Sequence, residues 1–435
     1  MYSRKSHATD LRRALNWILD KRILPQQAEH GNTRWLFSPL AVTALLWAWE
    51  AADGLLDRFR RSRDIVKQIF PQAKPAKTWN GFIKALDKKS DLLLRPLRDH
   101  LRCLMRNVSE TDWTIGRWTV LAVDGTRITL PRTPENQHGY STPETEGKVP
   151  PCPQLWLTVL WHVGLGLPWS WRHGPGNSSE RHQLQQMLDE FPEEVLLTAD
   201  AGFQGYDLWK DLIEHGHALL IRVGTHVRLL NEWGYIRSRD GIVCLWPDKS
   251  QRKKQAPIVL RLLAVETNDQ KMYLVTNVMD RSQLSVRDAL EIYRRRWGVE
   301  VFFRELKETF ARDRLKSRTP QHVVLELEWS LMALWSVQLL GVKELVARNM
   351  PPTELSLARG LKALRNILQA VLPPPEKSLF EGLAAIRDDG YQRRCKSVRD
   401  YPRKRKREKP PSAPQLTRMT QEQRELWKQL KTQTD

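Results

Sequence analysis

Between Gly116 and Val223 the chain sets short β-rich runs close together and spaces the later ones with helix-forming segments. That order restricts the fold more than any other feature, because each run must find sheet partners and each helix a sheet face. GRWTVLAVDGTRITLPRT gives two runs, with Asp124-Gly125 read as the tight turn of a hairpin. QLWLTVLWHV is a third, apolar enough for a central strand. GPGNSSERHQLQQMLDEF reads as a turn and then a helix capped by Ser178 or Ser179. EEVLLTADAGF is a fourth strand ending at Asp200, GYDLWKDLIEHG a helix, and ALLIRV a fifth strand. The expected order is β-β-β-α-β-α-β.

The flanking regions differ in character. Residues 1–115 repeat apolar residues at helical spacing, as in TDLRRALNWILDKRIL, with Lys and Arg on the outer faces. From His226 to Met279 come further β-rich runs (HVRLL, GIVCLW, PIVLRLLAVET, KMYLVTNV), then a long helix from near Leu284 to about Leu315. QHVVLELEWSLMALWSVQLLGVKELVARN and TELSLARGLKALRNILQAVL are helical again, and RDYPRKRKREKPPSAPQ is cationic and Pro-containing. The expected division is 1–115 helical, either an ordinary basic domain or one that binds DNA, 116–225 the first part of an α/β domain, and 226–280 a β-rich stretch. Residues 281–318 complete the α/β domain, 319–400 form a helical C-terminal region, and 401–435 a disordered basic tail.

A formal net charge of +20 favours a polyphosphate partner, since Lys and Arg release condensed counterions when they neutralise phosphates. The four cysteines, Cys103, Cys152, Cys244 and Cys395, lie far apart without a CxxC pair, which argues against a zinc cluster and a disulfide framework and fits a reducing cytosol. The most apolar run, LAVTALLWAW, stops at Glu50, well short of a membrane span, so a soluble cytoplasmic protein is expected.

The helix IYRRRWGVEVFFRELK concentrates the chemistry. At 100° per residue, Tyr293, Arg296, Glu300 and Lys307 fall within an arc of about 60°, and Arg304 adds to that edge. Ile292, Val299, Phe302, Phe303, Leu306 and Phe310 form a neighbouring apolar stripe that can lie on a sheet. One Glu among arginines is also what a surface ion pair looks like. Asp124 in AVDGT and Asp200 in LLTADAGF alter that balance, because each follows an apolar strand, where α/β folds place reactive groups. Three carboxylates suit hard divalent cations, and two such ions can activate the attacking oxygen and stabilise the leaving one in phosphoryl transfer. Cations would also reconcile an acidic site with a basic, phosphate-binding protein. His162, His173 and His182 lack metal-ligand spacing and read as structural, and no phosphate-cradling glycine loop is present.

The string Y-x2-R-x3-E-x6-K, present as Tyr293, Arg296, Glu300 and Lys307, resembles the signature of bacterial insertion-sequence DDE transposases of the IS-four family. The DGT at Asp124 and the DAGF at Asp200 resemble that family's two aspartate motifs; many members read DRGF at the second, so a cation is missing at Ala201. The resemblance covers roughly residues 115 to 315. It implies a ribonuclease-H-like mixed sheet flanked by helices and interrupted by a β-rich insertion domain, with helical regions at both ends.

It further implies that Asp124, Asp200 and Glu300 are catalytic and bind two Mg²⁺ ions, for which Mn²⁺ can substitute. Tyr293 and Arg296 would hold phosphates near the element end, with Lys307 by the scissile or terminal phosphate and Arg304 beside them. A tryptophan of the insertion domain would stack on a flipped base; Trp233 and Trp246 are the candidates, although a strand tryptophan also suits a core. The implied partners are double-stranded DNA, as element ends and target, and a second copy in a synaptic homodimer at the nucleoid. Two other readings compete with an active transposase: a catalytically inactive, transposase-derived DNA-binding protein, and a ribonuclease-H-like nuclease.

Overall fold

The computed structural model describes residues 4–25, 35–52, 54–72, 75, 77–140, 152–235, 238–267, 270–372 and 413–432. The expected run Arg403 to Lys409 lies outside these residues. Ten strands form one sheet in the order β10-β6-β7-β8-β9-β5-β4-β1-β2-β3. Its half that comes first in the sequence comprises β1 (Thr119–Thr129), β2 (Gln154–His162), β3 (Leu167–Pro175), β4 (Val195–Ala199) and β5 (Ala218–Val223). Strands β1, β2 and β3 run antiparallel, while β4 is parallel to β1 and β5 to β4. That 3-2-1-4-5 order is the ribonuclease-H-like arrangement the sequence led us to expect.

The strand count agrees with the sequence reading through two compensating differences. Asp124-Gly125 is no hairpin turn but the middle of a single eleven-residue strand. Gly125 is needed there for close approach: a Cβ would lie 2.6 Å from the Trp156 indole on β2. The second difference is β3, whose alternation is hidden because both faces of Leu167–Trp171 are buried. The turn before it, at Gly166 with φ +65, falls where GLGLP places it.

The β-rich stretch after β5 continues the same sheet. Strands β6 (Arg228–Asn231), β7 (Asp240–Leu245), β8 (Ile258–Thr267) and β9 (Gln270–Thr276) follow, and β9 pairs antiparallel with β5. The last strand, β10 (Gln415–Arg418), pairs parallel with β6, and the helix Gln421–Thr432 follows it. Residues 413–432 therefore correct the expected disordered tail. The basic run before them suggested disorder, but Met419, Leu426 and Trp427 carry enough apolar surface to pack on Leu230, Cys244 and Trp246.

Helices α1 (Arg4–Ile18), α2 (Phe37–Trp49), α3 (Leu55–Ile69) and α4 (Trp79–Val108) come from the N-terminal region. The short helices α5 (Pro134–Tyr140), α6 (Glu180–Gln185), α7 (Tyr206–Glu214) and α8 (Asp248–Arg252) punctuate the sheet. Ser179 caps α6, accepting from His182 N. The long helix α11 (Pro320–Val346) packs on α2, α4 and β3 and so joins the N-terminal helices to the sheet through one apolar core. Among the described residues it is the one helix long and apolar enough to cross a membrane, but 89% of its apolar window is buried inside the protein. Trp49 Nε1 donates to Ala333 O across that contact at 2.8 Å.

The expected single helix from Leu284 to Leu315 is broken. It comprises α9 (Val286–Arg295), α10 (Gly298–Arg304) and a π turn at Glu305–Thr309. Gly298 sits where a Cβ would stand 2.9 Å from Trp161 Nε1 on β2, so this junction presses the chain onto the sheet. Phe302 packs on the same indole with the rings tilted and their centroids 5.1 Å apart, which seats α10 over β1 and β2. A last helix, α12 (Leu357–Val371), packs against α11 and α1.

Candidate active site

Register places the two aspartates. Val123 of β1 is aligned with Ala199 of β4, so Asp124, midway along β1, and Asp200, just past the end of β4, stand side by side, about 5 Å apart at their backbones. Ala122, on the same face as Asp124, is paired with Trp161, the residue beneath Phe302. Asp124 and Glu300 therefore share the face that α10 covers. Each aspartate spends one oxygen locally: Asp124 Oδ1 accepts from Gly125 N and Asp200 Oδ1 from Gly202 N, both at 2.8 Å. A Cβ on Gly202 would lie 2.7 Å from Glu180 Oε1 and 2.9 Å from Asp200 Oδ1, so a side chain there would displace those carboxyl groups. Among the described residues, the other oxygen of each aspartate has no hydrogen-bond partner.

Burial, and then the charges of Asp200 and Glu300, push the Asp124 carboxyl up to about 7 against the pull of Gly125 N–H and Arg296. Arg296 is buried over the Tyr293 ring, 5.4 Å from its centroid, and donates to Glu300 Oε1 at 2.9 Å. Although burial opposes its charge, Tyr293, Asp124 and Glu300 together hold the guanidinium above its usual range. Among the described residues, Tyr293 OH and Arg296 Nε are buried without a hydrogen-bond partner, although the Arg296 guanidinium lies close enough to act on the phenol. Lys307 Nζ donates to Thr126 Oγ1 at 2.6 Å, and Thr126 stands two residues along β1 from Asp124, on the same face.

Among the described residues, no three His, Cys, Asp or Glu side chains stand close enough to hold a metal ion as placed. The donor chemistry nevertheless suits a hard divalent cation: three carboxylates acting on one another, two of them with an unbonded oxygen each. Glu300 does not complete the set here because its carboxylate is paired with Arg296.

The remaining expected residues separate. Arg304 is exposed at the end of α10, where its charge acts on Glu305. Trp233 is 48% exposed after β6, in a turn where Asn231 Oδ1 accepts from Trp233 N and Gly234 N. It lines a groove of about 590 Å³ with Tyr235, Ile242 and Trp427. Trp246 is 3% exposed, bonded through Nε1 to Gln255 O, and packed in the small core below β6 and β7, so it cannot offer a stacking face as placed. His162 is buried against Trp113, and burial lowers its pKa to about 4, as a structural histidine requires.

Two residues escaped sequence reasoning. Ala199 is aligned with Ile221, so Arg222 of β5 stands beside Asp200 as Asp200 stands beside Asp124. Its charge reaches Tyr293, and among the described residues its side chain has no hydrogen-bond or ion-pair partner. Glu180, at the start of α6, comes within reach of Asp200; burial and that neighbour raise its pKa. Only strand register could have identified the first, and nothing in the motifs marks the second.

Residues 117–336, half of the chain, match the family described as "Transposase DDE domain". The chain is 25% identical over 305 residues to the transposase InsG for insertion sequence element IS4 of Escherichia coli (strain K12), covering 68% of this chain and 67% of that one. Among solved structures it resembles the piggyBac transposase synaptic complex with hairpin DNA, with a TM-score of 0.43, 11% identity and 90% and 86% coverage. It also resembles the pre-cleavage Mos1 transpososome, with a TM-score of 0.22, 10% identity and 80% and 81% coverage. The in-register aspartates, the glutamate on the covering helix and the match over half the sequence establish that this chain belongs to the DDE transposase family, of the IS4 type.

Proposed function

We propose that this transposase cuts the ends of its insertion sequence and joins them to target DNA by phosphoryl transfer at Asp124, Asp200 and Glu300. The reading is carried by one observation, the side-by-side placement of Asp124 in β1 and Asp200 at the end of β4 under the helix that bears Glu300. Members of the family depend on divalent metal. These three carboxylates would hold two Mg²⁺ ions, replaceable by Mn²⁺, whose Lewis acidity favours both the attacking and the leaving oxygen.

The other side chains supply position and charge. Tyr293 OH, Arg296 Nε and Arg222 have donors to spare and would hold a DNA phosphate next to the acids. Engaging that phosphate draws Arg296 from Glu300, so the glutamate becomes available to cations as the substrate arrives. Lys307, held at Thr126, would neutralise the phosphate nearest Asp124. Exposed Trp233, and Trp297 at 60% exposure between α9 and α10, offer stacking faces to unpaired bases. Double-stranded element ends and target, bound by a homodimer at the nucleoid, complete the reading.

The test is a cleavage and joining assay with end-labelled element DNA and Mg²⁺, comparing wild type with Glu300→Gln. We expect cutting by wild type, a loss of at least about 100-fold in the variant and unchanged DNA binding. Equal products from both proteins would remove Glu300 from the chemistry. No cutting by either would favour an inactive DNA-binding derivative, and cutting without joining would favour a nuclease.

A further inference from the structure

The π turn after α10 is unusual. Wide turns of this kind are rare, gather at functional sites and persist only where their surroundings fix them. Here Phe310 N donates to Glu305 O at 2.8 Å, and the turn carries Lys307. A slip of one residue in helical phase turns a side chain about 100° around the axis, enough to take Lys307 off β1. The wide turn instead keeps Leu306 and Phe310 in the core while the lysine reaches Thr126.

Glu305 begins that turn, and two elements meet its carboxyl. Gln338 of α11 donates Nε2 to Glu305 Oε2 at 3.1 Å, and the backbone N–H of Leu357, the first residue of α12, lies near enough to the carboxyl to favour its charge. Ser356, the N-cap of α12, makes no side-chain cap bond, and the Glu305 carboxyl stands near the start of that helix. The helix dipole of α12 and the Arg304 charge both favour a carboxylate there. Burial works the other way and raises its pKa to about 7.

We propose that Glu305 is a positioning residue for Lys307: bonded to Gln338 and set near the start of α12, it fixes the π turn that delivers the lysine to Thr126 beside Asp124. This rests on the reading of Lys307 as a phosphate contact.

The test is a double-mutant cycle on full-length protein, read as the single-turnover cleavage rate with pre-bound end DNA. Lys307→Ala should lower the rate about 100-fold. Glu305→Ala should lower it about 10-fold with DNA affinity kept, and Glu305→Gln, which retains an acceptor oxygen, should recover most of that loss. The double variant should be no slower than Lys307→Ala alone. Losses that multiply in the double variant, or a Glu305→Ala rate equal to wild type, would overturn the positioning role and leave Lys307 as read. A wild-type rate for Lys307→Ala would overturn both. If Glu305→Ala does not fold, Gln338→Met, which removes that bond, enters the same cycle with the same outcomes.

Discussion

The site's acids should work against the fold that holds them, and Asp124→Asn makes this measurable. Without divalent cations, burial and two neighbouring carboxylates raise the Asp124 pKa from 3.8 to about 7. A raised acid binds its proton more tightly folded than unfolded, so its contribution is complete below about pH 4 and is lost as pH climbs towards 7. The full shift corresponds to about 4 kcal/mol. Partial access of water to the carboxyl reduces that to about 2 kcal/mol, acting against the native state at pH 8. Asparagine keeps an acceptor for Gly125 N and removes the charge. In EDTA at pH 8 the variant should melt about 2 °C above wild type, a small figure because a chain of this length unfolds with a large entropy. The advantage should shrink at pH 5 and vanish below pH 4, and Mg²⁺ at pH 8 should close it from the wild-type side. An Asn variant that melts below wild type at pH 8 in EDTA would refute the desolvation argument.

Further perturbations separate binding from folding. Arg222→Ala should weaken end-DNA binding and lower the salt slope of log K by about one, without shifting the melting temperature; an unchanged slope would remove Arg222 from the phosphate contacts. Gly125→Ala sets a methyl 2.6 Å from Trp156 and should cost about 1–3 kcal/mol in urea unfolding, against no change if the indole can yield. Trp246→Ala should cost about 3–5 kcal/mol of stability, as a large core truncation does. Trp233→Ala should leave stability alone and cost about 1–3 kcal/mol of binding to unpaired DNA. Exchanged phenotypes for the two tryptophans would reverse their assignment.

Much of the site was legible because its residues sit in local patterns. An apolar run followed by Asp marked β1 and β4, and the spacing from Tyr293 to Lys307 marked the covering helix. What failed were inferences about long-range partners. Asp-Gly usually signals a turn, but Gly125 answers to Trp156 on another strand. Counting at 100° per residue put Lys307 on the Glu300 face, whereas the chain breaks at Trp297–Gly298 and widens after Glu305. The lysine reaches the site through those irregularities, not through helical periodicity. Trp233 and Trp246 both lie at strand ends, and only the packing of the C-terminal Met419 and Trp427 decides which one is buried.

The same distinction explains why the three acids do not converge as a bare sequence reading would have them. Motifs specify which carboxylates exist, but the net charge of a buried site must be balanced in every state. In the free protein that balance falls to Arg296, which pairs with Glu300, acts on Asp124 and lies against Tyr293. On the proposed function, its guanidinium neutralises the site in the free protein and would give way to cations and DNA phosphate. Such a double role would not be recognisable from spacing alone. It follows that Arg296→Ala should do more than weaken DNA binding. By leaving Glu300 and Asp124 uncompensated it should lower the stability of the free protein at pH 8 and make that stability more responsive to Mg²⁺ than in wild type. A variant with impaired binding but wild-type stability and Mg²⁺ response would confine Arg296 to the DNA.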